Sequence, residues 1–344
     1  MSEPTWFNNG FGHMLEVLGL SWLGTPLWMW LAFFGIVVAL LVLDLGVLHR
    51  KHREIGVRES LLMSAFYITL GVAFGSFVWW HIGPEAGMNY LTGFAVEKAL
   101  AMDNVFVIAM IFSFFAVPRL YQHRVLFWGI LGVIVLRALM IGFGAAVISQ
   151  FSWVLYLFAA FLIGTGVKML AFSDTEYDIA KNPVIGFMRR RFNVTDEHHG
   201  QHFFVKKPHP KTGRLAWFMT PLFMALVLVE IADVIFAVDS VPAIFAITTD
   251  PFIVYTSNIF AILGLRALYF ALAAMVHRFH YLKYALAFVL IFIGSKIFVA
   301  DLLGLAKIPA SVSLGVTFAI LAAGVGWSLW KTRDEAPEGD RVAG

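Results

Sequence analysis

The sequence predicts an all-α, polytopic membrane protein of about nine transmembrane helices, six of them forming two inverted three-helix repeats. Three observations carry that prediction. Of 344 residues, 60% are hydrophobic and only 14% are charged, with a mean hydropathy of +0.80. A soluble domain of this length could not cover itself with so little polar surface. The apolar residues fall in runs of about 20, the length that crosses a hydrocarbon core about 30 Å thick. Finally, a series of landmarks in the third to fifth runs recurs in the same order in the sixth to eighth.

The elements follow in order. Residues 1–26 form an N-terminal segment, in which 11–24 are apolar but short and predict an interfacial helix. Arg50 is the first Lys or Arg, so no basic stretch precedes the first run and no secretory signal is expected. The membrane domain covers 27–330, with spans near 27–48, 61–82, 90–115, 124–147, 151–171, 217–247, 253–276, 283–303 and 310–330. Run ends such as Trp79–Trp80 suit the aromatic belts of a bilayer interface. Residues 172–216 read as one long polar loop, and 331–344 as a charged tail expected to be disordered. The absence of cysteine excludes structural disulfides and thiolate metal sites.

The formal charge of +3 belongs to membrane orientation and not to nucleic acid. With the N-terminus outside, inner segments hold Arg50, Lys51, Arg53 and Arg58, then Arg119 and Arg124, then eight basic residues in the long loop. Arg278 and Lys283 come next, and Lys331, Arg333 and Arg341 lie in the tail. These nineteen face Lys307 alone outside. The positive-inside bias therefore predicts a membrane protein with its N-terminus outside and its C-terminus inside.

The repeat is anchored by EKALAMDNVFV from Glu97 and EIADVIFAVDS from Glu230. At one fixed offset Glu97 falls on Asp233, Asp103 on Asp239, and Asn104 on Ser240. LRAL at 136–139 recurs at 265–268, and Gly166 with Lys168 recurs as Gly294 with Lys296. Repeat one covers about 90–171 and repeat two about 217–303. Three spans per unit leave the second copy upside down, as in many secondary transporters, with the site where the copies meet.

Eleven ionisable residues besides His lie inside the predicted spans: Asp44, Glu97, Lys98, Asp103, Arg137, Lys168, Glu230, Asp233, Asp239, Arg266 and Lys296. Each costs roughly 3 kcal/mol at a helix centre, so the group must face the bundle interior. Asp44 and Lys168 lie near span ends and are expected to snorkel. Lys98, Arg137, Arg266 and Lys296 are expected as counter-charges. The candidate metal ligands are Glu97, Asp103, Asn104, Glu230, Asp233, Asp239 and Ser240, an all-oxygen set that suits Mg²⁺, Ca²⁺ or Mn²⁺. Glu230 and Asp233, three apart, share a helix face, whereas Asp239 sits half a turn round from Glu230. For both to reach one ion the helix has to break, and Pro242 supplies the reason by leaving the Val238 carbonyl without a donor. The alternative is that these acids only pair with the arginines and lysines to hold helices together.

No phosphate loop, activated nucleophile or His-Glu zinc motif appears, so neither an enzyme nor a prosthetic group is expected. TDEHHGQH, with His198, His199 and His202, reads as a solvated loop with incidental histidines rather than a metal-handling tract. Membrane lipid and a divalent ion are the expected partners; protein partners are open.

The motifs EKALAMDNVFV, EIADVIFAVDSVPAIFA and TSNIFAILGLRALYF resemble the TerC family, in its alkali-inducible Alx-like branch, from about residue 27 to 330. That resemblance implies a bacterial inner-membrane protein linked to manganese export, and historically to tellurium resistance. It also implies that Glu97, Asp103, Glu230, Asp233 and Asp239 are the functional acids. The expected function is thus efflux of a divalent cation, Mn²⁺ first. Ca²⁺ or proton-coupled transport, and a non-transporting scaffold in a stress complex, are the alternatives.

Overall fold

A computed structural model describes residues 20–46, 56–171, 183–209, 213–272, 281–304 and 308–332, with Asp44 and Asp103 described by their backbone alone. Five helices precede the long loop: α1 (Leu27–Gly46), α2 (Val57–His81), α3 (Pro84–Phe114), α4 (Arg119–Gln150) and α5 (Val154–Ala171). After it come α7 (Pro221–Ile247), α8 (Pro251–Leu263), α9 (Leu265–Leu272), α10 (Leu282–Leu302) and α11 (Ala310–Lys331). Among the described residues six helices are long and apolar enough to cross a membrane, or seven if the bent pair α8–α9 is one span. The chain is a multi-pass, all-α membrane protein. Helix α1 spans 20 residues, with Asp44 the one charge in it. The charges of α3 keep it out of the apolar set: Glu85, Glu97, Lys98 and Asp103 put at least three in any eighteen-residue window. Yet α3 packs against α2, α7, α8, α9 and α11, at the centre of the bundle.

Two expectations are corrected. Helix α7 runs unbroken through Pro242 to Ile247. The break falls instead at Gly264, where α8 and α9 meet at 40°. Gly264 is where the Lys98 ammonium fits, since a Cβ there would lie 2.8 Å from Nζ. Lys98 donates to the Ala261 carbonyl at 3.0 Å. A helix end leaves carbonyls without intrahelical donors and carries partial negative charge, so a buried ammonium there serves as its cap.

The long loop is also folded, not merely solvated. It forms α6 (Pro183–Arg191) and an antiparallel hairpin of β3 (Phe204–Pro208) and β4 (Leu215–Met219). A second, minimal hairpin, β1 (Ser21–Trp22) with β2 (Thr25–Pro26), precedes α1, and the Trp22 carbonyl accepts from Trp30 Nε1 at 3.0 Å. The interfacial helix expected at 11–24 falls mostly outside the described residues, and its end is this hairpin. The tail is outside them from residue 333.

The most extensive helix pair is α5 with α10. A Cβ on Gly166 would lie 2.7 Å from the Ala287 carbonyl oxygen, and one on Gly294 would lie 2.6 Å from the Ala159 carbonyl oxygen. Gly166 also faces Ile291, and Gly294 faces Ile163. Each contact maps onto the other when 128 is added to the first helix's numbers, and the helices run antiparallel. Small residues let backbones approach this closely. Gly166→Val and Gly294→Val should each cost about 1–3 kcal/mol and lower the thermal midpoint of the solubilised protein by similar amounts. Gly164→Ala, on the same helix with nothing within 4 Å of the added carbon, is the control and should leave it unchanged.

Candidate functional site

The site is built around Arg137, in the middle of α4 and 1% exposed. Its Nε and Nη2 donate to the two carboxylate oxygens of Asp233 at 3.3 and 3.1 Å. Nη1 pairs with Glu97 of α3 and also donates to Ser240 Oγ at 2.8 Å and Asn258 Oδ1 at 3.3 Å. Asn258 on α8 closes the ring by donating Nδ2 to the other Glu97 oxygen at 3.0 Å. Asp233 and Ser240 reach the same guanidinium because seven residues are nearly two full turns. A planar fork with five donors is the one side chain able to serve that many oxygens from a fixed position.

The two acids that the repeat aligns, Glu97 and Asp233, thus meet at one cation. Glu230, a turn before Asp233, also turns to α4, against Gly132, where any Cβ would collide with its carboxylate. Its Oε2 is buried and has no hydrogen-bond partner among the described residues. Asp239 does not join them. On an unbroken α7 it lies six residues past Asp233, about 240° round the helix, and accepts from Thr165 Oγ1 of α5 at 3.1 Å. There it lines a cavity of about 260 Å³ with Asn104, Arg137, Thr165, Lys168 and Ser240. Lys168, exposed in the last turn of α5, also lines this cavity. Lys296, its counterpart, lies in a separate cavity of about 330 Å³ with Glu85 and Asp301. Arg266 is buried on α9 just past the break. The Asp103 and Asp44 assignments lie outside the described side chains.

Among the described residues no three of His, Asp and Glu converge as a metal cluster. The loop histidines do not converge either: His198 Nε2 lies 3.0 Å from the Phe115 carbonyl at the foot of α3, and His199 faces Glu197. Lys207 hydrogen-bonds Glu197 at 2.6 Å and holds its carboxyl below the usual range. Sequence reasoning missed Thr165 and Asn258 as site residues. The signal for Asn258 was a polar triplet, Thr256–Ser257–Asn258, inside an apolar run; Thr165 had only its position one turn before Lys168.

A model of the Integral membrane protein TerC family matches residues 82–336. The chain belongs to the TerC family. It is 49% identical over 296 residues to an uncharacterized membrane protein of Rickettsia bellii, covering 86% of this chain and 95% of that one. It is 47% identical over 315 residues to one of Myxococcus xanthus, covering 92% and 96%. It is 46% identical over 311 residues to the "Putative membrane-bound redox modulator Alx" of Escherichia coli K12, covering 88% and 94%. No solved structure matches the chain. The TerC match begins just before α3 and ends just past α11, so it takes in every described residue of the arginine network.

Proposed function

We propose that this TerC-family protein exports a divalent cation, Mn²⁺ in the first place, through the cavity that Asp239 and Arg137 share. The observation that carries the reading is the meeting of Glu97 and Asp233 at one guanidinium. Arg137 stands where a metal ion would stand, between carboxylates from two helices. A dication entering beside Asp239 repels that guanidinium and competes for the same oxygens. Glu230, with a buried oxygen lacking a partner among the described residues, supplies a further hard oxygen donor, which favours Mn²⁺, Mg²⁺ or Ca²⁺ over soft metals. When the cargo leaves, Arg137 returns to neutralise the acids, and the protein never holds an unbalanced buried charge.

The reciprocal α5–α10 contact supports two inverted repeats in a bundle of nine spans, the frame in which a midplane site opens to either side. The Lys and Arg distribution supports a cytoplasmic C-terminus in the inner membrane. A relative's name speaks of redox modulation; this chain contains no cysteine, so a thiol-based version of that role is closed to it.

The test is metal flux by the purified protein in liposomes, comparing Mn²⁺, Ca²⁺, Mg²⁺ and Zn²⁺. Mn²⁺ should move fastest and Zn²⁺ least. Flux equal to that of protein-free liposomes for all four would leave the scaffold reading standing. Replacing His198, His199 and His202 together with Ala should keep cellular manganese tolerance within about twofold, because the three do not converge on a metal site. Loss of tolerance would make the loop a metal-handling element.

A further inference from the structure

The hairpin β3–β4 is largely apolar on both faces. Alternation along each strand sends Val205, Lys207, Ala216 and Phe218 inward, where Phe218 is buried and Lys207 meets Glu197. The opposite face should then be polar. It carries instead Phe204, Leu215 and Trp217, exposed by 42%, 73% and 60%. The one charge on it, Lys206, is paired in register with Trp217 and stands 4.9 Å from the centre of its ring. Tryptophan with a lysine laid over it is the pairing found at headgroup depth, where one part of the side chain is apolar and another wet.

The hairpin is placed to use that face. Thr220 N donates to the Phe203 carbonyl at 3.0 Å, and the Phe204 ring lies 4.4 Å from that of Phe223 in the first turn of α7. The apolar face therefore begins at the mouth of a membrane-crossing helix. Beside it, α6 ends in Arg189, Arg190 and Arg191. Residues 183–220 carry seven Lys and Arg against two acids. We propose that this unit docks on anionic phospholipid headgroups, with the outer face of the hairpin seated in the interface and the arginines on the phosphates.

The cysteine-free chain allows a direct test. Leu215→Cys is labelled with a fluorophore, and the protein is placed in nanodiscs of phosphatidylcholine alone or mixed with phosphatidylglycerol, each containing brominated lipid as quencher. Quenching should be at least about twofold greater in the anionic discs, and added salt should erase the difference. Arg190→Gln/Arg191→Gln/Lys206→Gln in the same background should also erase it, at unchanged protein yield. Weak quenching in both discs would overturn the proposal, since the hairpin would then stand clear of the bilayer. So would a label shielded in lipid-free detergent in proportion to protein concentration, which would assign the face to a second copy of the chain.

Discussion

Membranes expressing Arg137→Gln should contain little of the protein. The substitution removes the cation that pairs with both Glu97 and Asp233 among the described residues, and strips two buried carboxylates of that partner. Breaking a buried pair from one side costs about 3–5 kcal/mol, and here two pairs break together. Ser240 and Asn258 lose a partner as well. Arg137→Lys should fall between wild type and Gln, because one ammonium lacks the fork that meets both oxygens of Asp233 while reaching Glu97. Adding Glu97→Gln and Asp233→Asn to Arg137→Gln should restore much of the protein, since a neutral network has no unpaired charge to bury. Flux should not return with it. Membrane levels and thermal midpoints of the series decide the matter, and a full-level, unshifted Arg137→Gln would contradict the network's role.

Asp239→Asn should behave in the opposite way. Its carboxylate is half-buried, faces a cavity and accepts one hydrogen bond, from Thr165. The Asn carbonyl accepts the same bond, so folding and membrane level should be normal. Transport should drop roughly tenfold or more, because an amide is a poorer ligand than a carboxylate for a hard dication. Asp103→Asn should match it if the two repeat-equivalent acids act together. Protein level measured beside flux separates the outcomes: abundant and inactive variants support a transport site, and abundant, fully active ones remove Asp239 from the mechanism.

Hydropathy located the apolar helices, because lipid imposes run length directly on composition. For α3 run length placed a span near 90–115, but a stricter measure would have dropped it. Its charges fail an apolar test, and only the recurrence of Glu97, Asp103 and Asn104 as Asp233, Asp239 and Ser240 marked it as equivalent to α7. The placement of the break was not legible. Proline is the stronger helix breaker by propensity, yet Pro242 sits inside a continuous α7. Gly264 breaks the chain because Lys98 needs its space and the Ala261 carbonyl; both partners are more than 160 residues from Lys98 and no local rule connects them. The loop's fold was hidden for a related reason. Counting charges in 172–216 registers eight basic residues, but not the alternation in the strand from Leu215 that buries Phe218 and turns Trp217 outward.

Arg137 and its partners have a consequence for how the chain is made. They lie on α4, α3, α7 and α8, and Arg137 follows Glu97 by 40 residues while Asp233 follows Arg137 by 96. At a synthesis rate of about 5–20 residues per second, that is roughly 2–8 s and then roughly 5–19 s more. During the first interval α3 gains nothing by sliding into lipid alone, where each of its charges costs roughly 3 kcal/mol. It becomes a tolerable membrane segment only when α4 emerges and Arg137 neutralises Glu97. Of the three charges Asp233 arrives last, to an arginine already in place. The order of the helices along the gene is thus also a timetable for insertion, and the ion network is what makes the early helices wait for the late one.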